Sequence, residues 1–211
     1  MIRKLETLGI AMIAVLAMSA LAAPAAEAVP SFTCSAYPCS ATGDTVSQPE
    51  IFTTEAGTIE CDGHFEGSLS AASSTMTFSP SYLNCLGFGF LNASVDAELC
   101  TYVLHATEQT TFTAWSSHFD ISCPFKESIK IVAGTCKAEI KSQTGLTSVR
   151  LENAAGSIAL KPNVSGISMT VTQDGFGCPF NGTGTKTASY HNVNGVLVYR
   201  NFGGTISISG S

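Results

Sequence analysis

Charge is scarce in this chain. Asp, Glu, Lys and Arg make up 12% of its 211 residues, about half the ~25% of an average soluble domain. Basic residues number 10 against 16 acidic, and none cluster beyond the first four positions. Phosphates are gripped by clustered Lys and Arg, so nucleic acid is excluded as a partner. Tryptophan occurs once, at Trp115. No Cys-x-x-Cys pair is present, which removes the usual frame for a thiolate zinc site. No Gly-x-Ser-x-Gly elbow offers a hydrolase nucleophile. Gly87-Phe88-Gly89 and Gly175-Phe176-Gly177 are too short for phosphate cradles and read as turns. Beyond residue 28 no window shows capped helical periodicity.

What is present begins with a leader. Arg3 and Lys4 precede an uncharged apolar run of 16 residues, Leu8 to Ala23, and then Ala26-Glu27-Ala28. This is the pattern of a cleaved secretory signal peptide, residues 1–28. The run is short against the ~20 residues that span a bilayer, and no second apolar run follows. The expected mature chain, 29–211, is therefore secreted and extracellular, with no membrane anchor. Losing Arg3, Lys4, Glu6 and Glu27 leaves its net charge at −6. Its length suits a single β domain, with a two-lobe split conceivable near 143–146.

All eight cysteines lie after the leader: Cys34, Cys39, Cys61, Cys85, Cys100, Cys123, Cys136 and Cys178. An even count in an exported chain reads as four disulfides. Eight cysteines allow about 105 pairings, and strand register narrows them. Setting Cys100 opposite Cys123 in an antiparallel hairpin puts Tyr102 against Ile121 and Leu104 against Phe119. All six then share one face, because side chains alternate with a period of two. The loop near Thr110 to Thr113 lacks the Gly or Asn of a tight turn. A second hairpin sets Leu69 opposite Met76, leaving Cys61 and Cys85 one residue out of step. A bulge at Ser79-Pro80 would align them. Cys34 and Cys39 would close a local loop, and Cys136–Cys178 follows by elimination.

Elsewhere, short runs rich in Val, Ile, Thr and Phe are divided by Gly, Asn and Pro. Strands are expected at Ser128 to Thr135, Thr147 to Glu152, Gly166 to Gln173 and Thr205 to Ser209. Thr185 to Tyr190 and Val196 to Arg200 read as a hairpin across Asn194-Gly195, with further turns at Asn153 to Gly156 and Asp174-Gly175. The expected fold is all-β: an antiparallel sandwich or barrel-like domain stapled by disulfides.

Chemistry is sparse. The Cys100–Cys123 register places His105 opposite His118 on the outward face, with Asp120 two residues along. Two imidazoles and a carboxylate are a plausible first shell for zinc or copper; two polar residues on a solvated sheet are the plainer reading. His64 and His191 read as surface residues. Glu55, Glu60, Asp62 and Glu66 crowd one region, and paired carboxylates serve glycosidases, but an acidic solvated face explains them as well. Trp115 could anchor a flat sugar-stacking strip. Asn92-Ala93-Ser94, Asn163-Val164-Ser165 and Asn181-Gly182-Thr183 match glycosylation sequons.

Several phrases together carry a resemblance. They are Phe52-Thr53-Thr54 with Gly57-Thr58 and Cys61; Pro80-Ser81-Tyr82 with Cys85; Cys100-Thr101-Tyr102-Val103-Leu104-His105; Cys123-Pro124; Gln143-Thr144-Gly145-Leu146; and Cys178-Pro179-Phe180-Asn181-Gly182-Thr183-Gly184. From about Phe32 onward the chain resembles secreted, cysteine-containing, β-rich proteins of soil actinobacteria with no known activity. The resemblance implies a bacterial exported protein, carries over no catalytic residues, and leaves the sequons without a glycan by the eukaryotic route. The Cys34/Cys39 pair departs from that pattern. The expectation is a non-enzymatic binding or structural protein at the cell exterior, with no cofactor and with cell wall or polysaccharide as conceivable partners. The alternatives are a secreted hydrolase assisted by a metal at His105, His118 and Asp120, and a carbohydrate-binding module built on Trp115.

Overall fold

Alternation between apolar and polar side chains can be satisfied only by strands with one face inward, and the chain follows it almost throughout. A computed structural model describes residues 29–45, 48–176, 178–192 and 194–210. The expected leader, 1–28, lies outside them. The strands are β1 (Ser31–Cys34), β2 (Cys39–Thr45), β3 (Glu50–Thr54), β4 (Gly57–Leu69), β5 (Thr75–Gly87), β6 (Leu91–Asp96), β7 (Thr101–Thr111) and β8 (Ala114–Ser122), followed by β9 (Ile129–Ala133), β10 (Cys136–Ile140), β11 (Gln143–Ala154), β12 (Ser157–Asp174), β13 (Gly184–His191), β14 (Val196–Arg200) and β15 (Ile206–Ser209). No helix occurs among the described residues, so none is long and apolar enough to cross a membrane. The class is all-β and antiparallel, as the sequence predicts.

The pairings close on themselves. A back of five long strand positions runs β12, then β13 and β14 end to end, then β3 and β2 end to end, then β4 and β5. In front, β7, β8 and β11 bridge from β5 to β12. A second bridge, β6, β9 and β10, joins the far ends of the same two strands. Each bridge completes a ring, which removes the open edges along which sheets aggregate. The conceivable boundary at 143–146 falls at the start of β11, where Gln143 and Leu146 face Ile121 and Phe119 of β8.

The expected hairpin across Asn194-Gly195 is not formed. β13 and β14 do not pair with each other; both lie along β12, with Ala188 opposite Ile167 and Val198 opposite Ile158. They are one strand interrupted between His191 and Val196. Local turn chemistry promises a reversal there, but the unpaired flank of β12 offers the returning chain a longer ladder. The turn between β11 and β12 shrinks to Ala155-Gly156, both left-handed as a two-residue hairpin loop requires.

The interior is mostly apolar, with Phe32, Leu151, Val198 and Ile206 fully buried. Each such side chain contributes about 1.5–3 kcal/mol over its exposed state. β1 and β15 pair as a two-stranded cap over one end. Asn153 seals the free edge of β15: its side-chain oxygen accepts the Ile208 N–H at 2.8 Å and its amide donates to the Ile208 carbonyl at 2.9 Å.

Four disulfides staple the rings: Cys34–Cys39, Cys61–Cys85, Cys100–Cys123 and Cys136–Cys178. In the first bridge Tyr102 faces Ile121 and Leu104 faces Phe119, the register that aligns Cys100 with Cys123. The bulge beside Cys61–Cys85 sits elsewhere than Ser79-Pro80. Pro80 faces Phe65 in an unbroken ladder, and the register shifts instead between Glu60 and Asp62. There Asn84 and Cys85 of β5 together face Cys61 of β4, one residue in excess, with Asn84 left-handed at φ 51°. Between Phe78 and Leu86, β5 has β4 alone as a partner, and proline is tolerated in such a stretch.

Candidate functional site

The β7–β8 hairpin sorts its residues by parity. Tyr102, Leu104, Phe119 and Ile121 point into the core. Val103, His105, His118 and Asp120 take the opposite parity and are partly exposed. His105 stands directly opposite His118. Their rings stack with centroids 4.5 Å apart and planes 10° apart. Asp120 reaches diagonally across, its Oδ2 3.0 Å from His105 Nε2. The structure therefore brings together the three residues proposed from sequence, with one potential ligand atom from each lying within 4.8 Å of the others. Ligands about 2.0–2.1 Å from a tetrahedral ion stand about 3.3 Å from one another, so small side-chain rotations would let the three share one ion. The donor set fits zinc or copper.

Bulges on β11 and β7 flank this cluster. β11 is regular from Val149 onward, but its register to β8 shifts between Leu146 and Val149 and again between Gln143 and Leu146. Thr147 and Ser148 together face His118, and Thr144 and Gly145 together face Asp120. Ser148 and Gly145 are left-handed, at φ 73° and 70°. The second bulge turns the Gly145 N–H onto Asp120 Oδ1 at 2.7 Å. A third irregularity follows His105, between Ala106 and Glu108 of β7. Bulges re-aim side chains and concentrate beside functional sites. The Gln143 side chain repairs the lost ladder by bonding both backbone groups of Ser168, at 2.7 and 2.8 Å. Sequence reading found the two histidines and the aspartate but not the bulges beside them, although Gly145 was a visible signal.

The other candidates do not converge. His64 sits on β4 with its Nδ1 2.6 Å from Asp44 Oδ1, while the Tyr199 hydroxyl donates to Asp44 Oδ2 at 2.7 Å. The hydrogen bond to Asp44 raises the His64 pKa, and the same bond lowers that of Asp44. His191 pairs with Ile51 and Asn163 in the ladders. The acidic residues are spoken for separately: Glu55 pairs with Lys186 at 2.7 Å, Asp62 accepts from Asn84 at 2.8 Å, Glu60 from Thr58 at 3.4 Å, and Glu66 lies 3.6 Å from His64.

Trp115 overturns the stacking-platform expectation. It is 3% exposed, and its indole N–H donates to the Gly210 carbonyl at 3.0 Å. The chain's one tryptophan anchors the cap and has no flat face to offer. The most exposed aromatics lie instead in separate connections: Phe90, Phe112, Phe125, Phe176 and Phe202.

Sequence reading also missed Glu50. It is fully buried at the start of β3, where its Oε1 accepts the Asn192 amide at 3.2 Å and its Oε2 is without a hydrogen-bond partner among the described residues. Burial pushes its carboxyl up to about 7, opposed only in part by Tyr190 and Asn192. Nearby, the Tyr82 and Tyr102 hydroxyls bond at 2.7 Å, and burial raises their pKa values and that of Tyr190. No local pattern marks a glutamate at a strand start as buried. The apolar interior leaves a gap of about 50 Å³ between residues such as Phe65, Phe119 and Val196. That is well below the ~150 Å³ that admits a benzene ring, so this gap has no room for a ligand of that size. No family model, curated protein or solved structure matches the chain.

Proposed function

We propose that this is an exported, non-enzymatic binding protein that acts outside the cell and holds a zinc or copper ion at His105, His118 and Asp120. The convergence of these three side chains on one outer face carries the reading. Four disulfides suit an oxidising compartment, and the leader pattern and the likeness to secreted actinobacterial proteins agree with export. The Gly145 N–H holds the aspartate from behind, the kind of supporting contact that orients metal ligands.

Elemental analysis of protein exported natively and purified without metal affinity tests this. The expected result is close to one zinc or copper per chain, lost in His105→Ala and His118→Ala while all disulfides remain. Metal-free native protein, with no uptake of added zinc or copper, would leave only the structural role. Three protein ligands with one position open is also the arrangement of hydrolytic zinc sites. Turnover of simple esters by the zinc-loaded protein, lost in His118→Ala, would move the reading to the hydrolase alternative.

A further inference from the structure

Beside His118 the outer surface of the first bridge is hollowed into a cleft of about 650 Å³. Ser116 and His118 line it from β8, Thr147, Ser148 and Arg150 from β11, and Asn163 from β12. The Thr147–Ser148 bulge presents two neighbouring hydroxyl residues where a regular ladder would set one opposite His118. Of the other lining residues, Thr107, Thr110 and the buried Ser117 donate to backbone carbonyls. The side chains of Ser116, Thr147, Ser148 and Asn163 make no hydrogen bond among the described residues. Arg150 engages Glu152 through Nε at 2.6 Å, leaving its terminal nitrogens for another acceptor. These unspent hydroxyls, the amide and the guanidinium share the cleft with the buried Trp115 and Val149.

We infer that this cleft binds a saccharide that carries carboxylate groups, an acidic glycan of the uronate type. Sugar hydroxyls both donate and accept, which matches serine, threonine and asparagine side chains. A guanidinium pairs with a carboxylate through two parallel hydrogen bonds, a geometry lysine cannot supply. Trp115 lines the cleft but is only 3% exposed, so recognition rests on the polar groups and not on ring stacking. The chain is acidic overall, so attraction for such a ligand is local to Arg150 and not a general property of the surface. The inference rests on the reading of this face as the ligand-binding surface, but not on the metal.

The test is affinity electrophoresis of the full exported protein through gels containing polygalacturonate, with dextran as the neutral counterpart, in EDTA and in zinc. Retardation by polygalacturonate but not dextran is expected in both conditions. Arg150→Gln and Asn163→Ala should each weaken it on the order of ten-fold, the loss of one good hydrogen bond to a charged or fully used group. Near-ultraviolet circular dichroism matching the parent shows that these surface variants stay folded. Retardation that survives His105→Ala supports the cleft even where no metal is found, so the two readings fail separately. The inference is overturned by no retardation, by equal retardation on dextran, by indifference to both cleft variants, or by retardation that needs zinc and disappears in His105→Ala.

Discussion

The Gly145 N–H donates to Asp120 Oδ1 at 2.7 Å, while the other oxygen of that carboxylate lies 3.0 Å from His105 Nε2. One backbone bulge thereby sets the angle at which the aspartate meets the histidine. Gly145 is left-handed at φ 70°, and a Cβ there would meet nothing within 4 Å. Gly145→Ala should therefore cost about 1–2 kcal/mol through backbone strain alone. Loss of the oriented carboxylate should weaken zinc binding on the order of ten-fold. Gly145→Asn, which tolerates that backbone region, should recover most of both. Chelator competition alongside urea unfolding reads the two effects. Unchanged zinc affinity in Gly145→Ala would remove Gly145 from the site.

Glu50 should make stability fall as pH rises. Its folded carboxyl titrates near 7 against an ordinary 4.5. Below about 4.5 both the folded and unfolded chains hold the proton and nothing is lost. Between the two values the unfolded chain ionises while the folded one keeps its proton. Above 7 the cost reaches on the order of 3 kcal/mol. Glu50→Gln keeps an oxygen for Asn192 and removes the charge. It should be more stable than the parent at pH 8, with no difference at pH 4. Denaturant melts at the two pH values decide this, and a less stable variant at pH 8 would refute it.

The His64–Asp44 pair acts in two windows. His64 is raised, so its contribution is complete below its ordinary pKa of 6.5 and is lost as pH climbs through the folded value. Asp44 is lowered, so its contribution exists above 3.8 and is lost as pH falls through the folded value. Both side chains are more than a third exposed, which keeps the energy small. The clean readout is NMR titration of His64. Asp44→Asn should bring its midpoint down, and Tyr199→Phe should leave most of the shift in place. A His64 midpoint unmoved by Asp44→Asn would contradict the pairing.

Cys100–Cys123 closes a loop at the base of the hairpin that bears the two histidines, with a sequence separation of 23. Replacing both cysteines by Ala should destabilise the protein by about 2–5 kcal/mol. The His105–His118 ladder lies within the hairpin above it, so zinc should still bind to the fraction that remains folded. A melting temperature equal to the parent's would show that the staple contributes nothing.

Much of this was legible in the chain itself. A period of two assigns each residue of the 100–123 segment to a face, and one register satisfies every pair, so His105, His118 and Asp120 share the outward side before any tertiary contact is considered. Cysteine positions then act as register marks, as Cys61 and Cys85 show by demanding one extra residue between them. Other features depended on closure of the rings. The Asn194-Gly195 segment looks like a hairpin until β12 is long enough to take β13 and β14 in line. Trp115 lies beneath a cap whose partner residue is 95 positions away, and Glu50 is buried by strands from both ends of the chain. The two bulges in β11 lie before Val149, in the stretch that pairs with β8 and has left the β12 ladder. Alternation is a local property and decides which residues can share a face. Which face becomes interior, and where a ladder must yield to close, is set by pairings far apart in sequence.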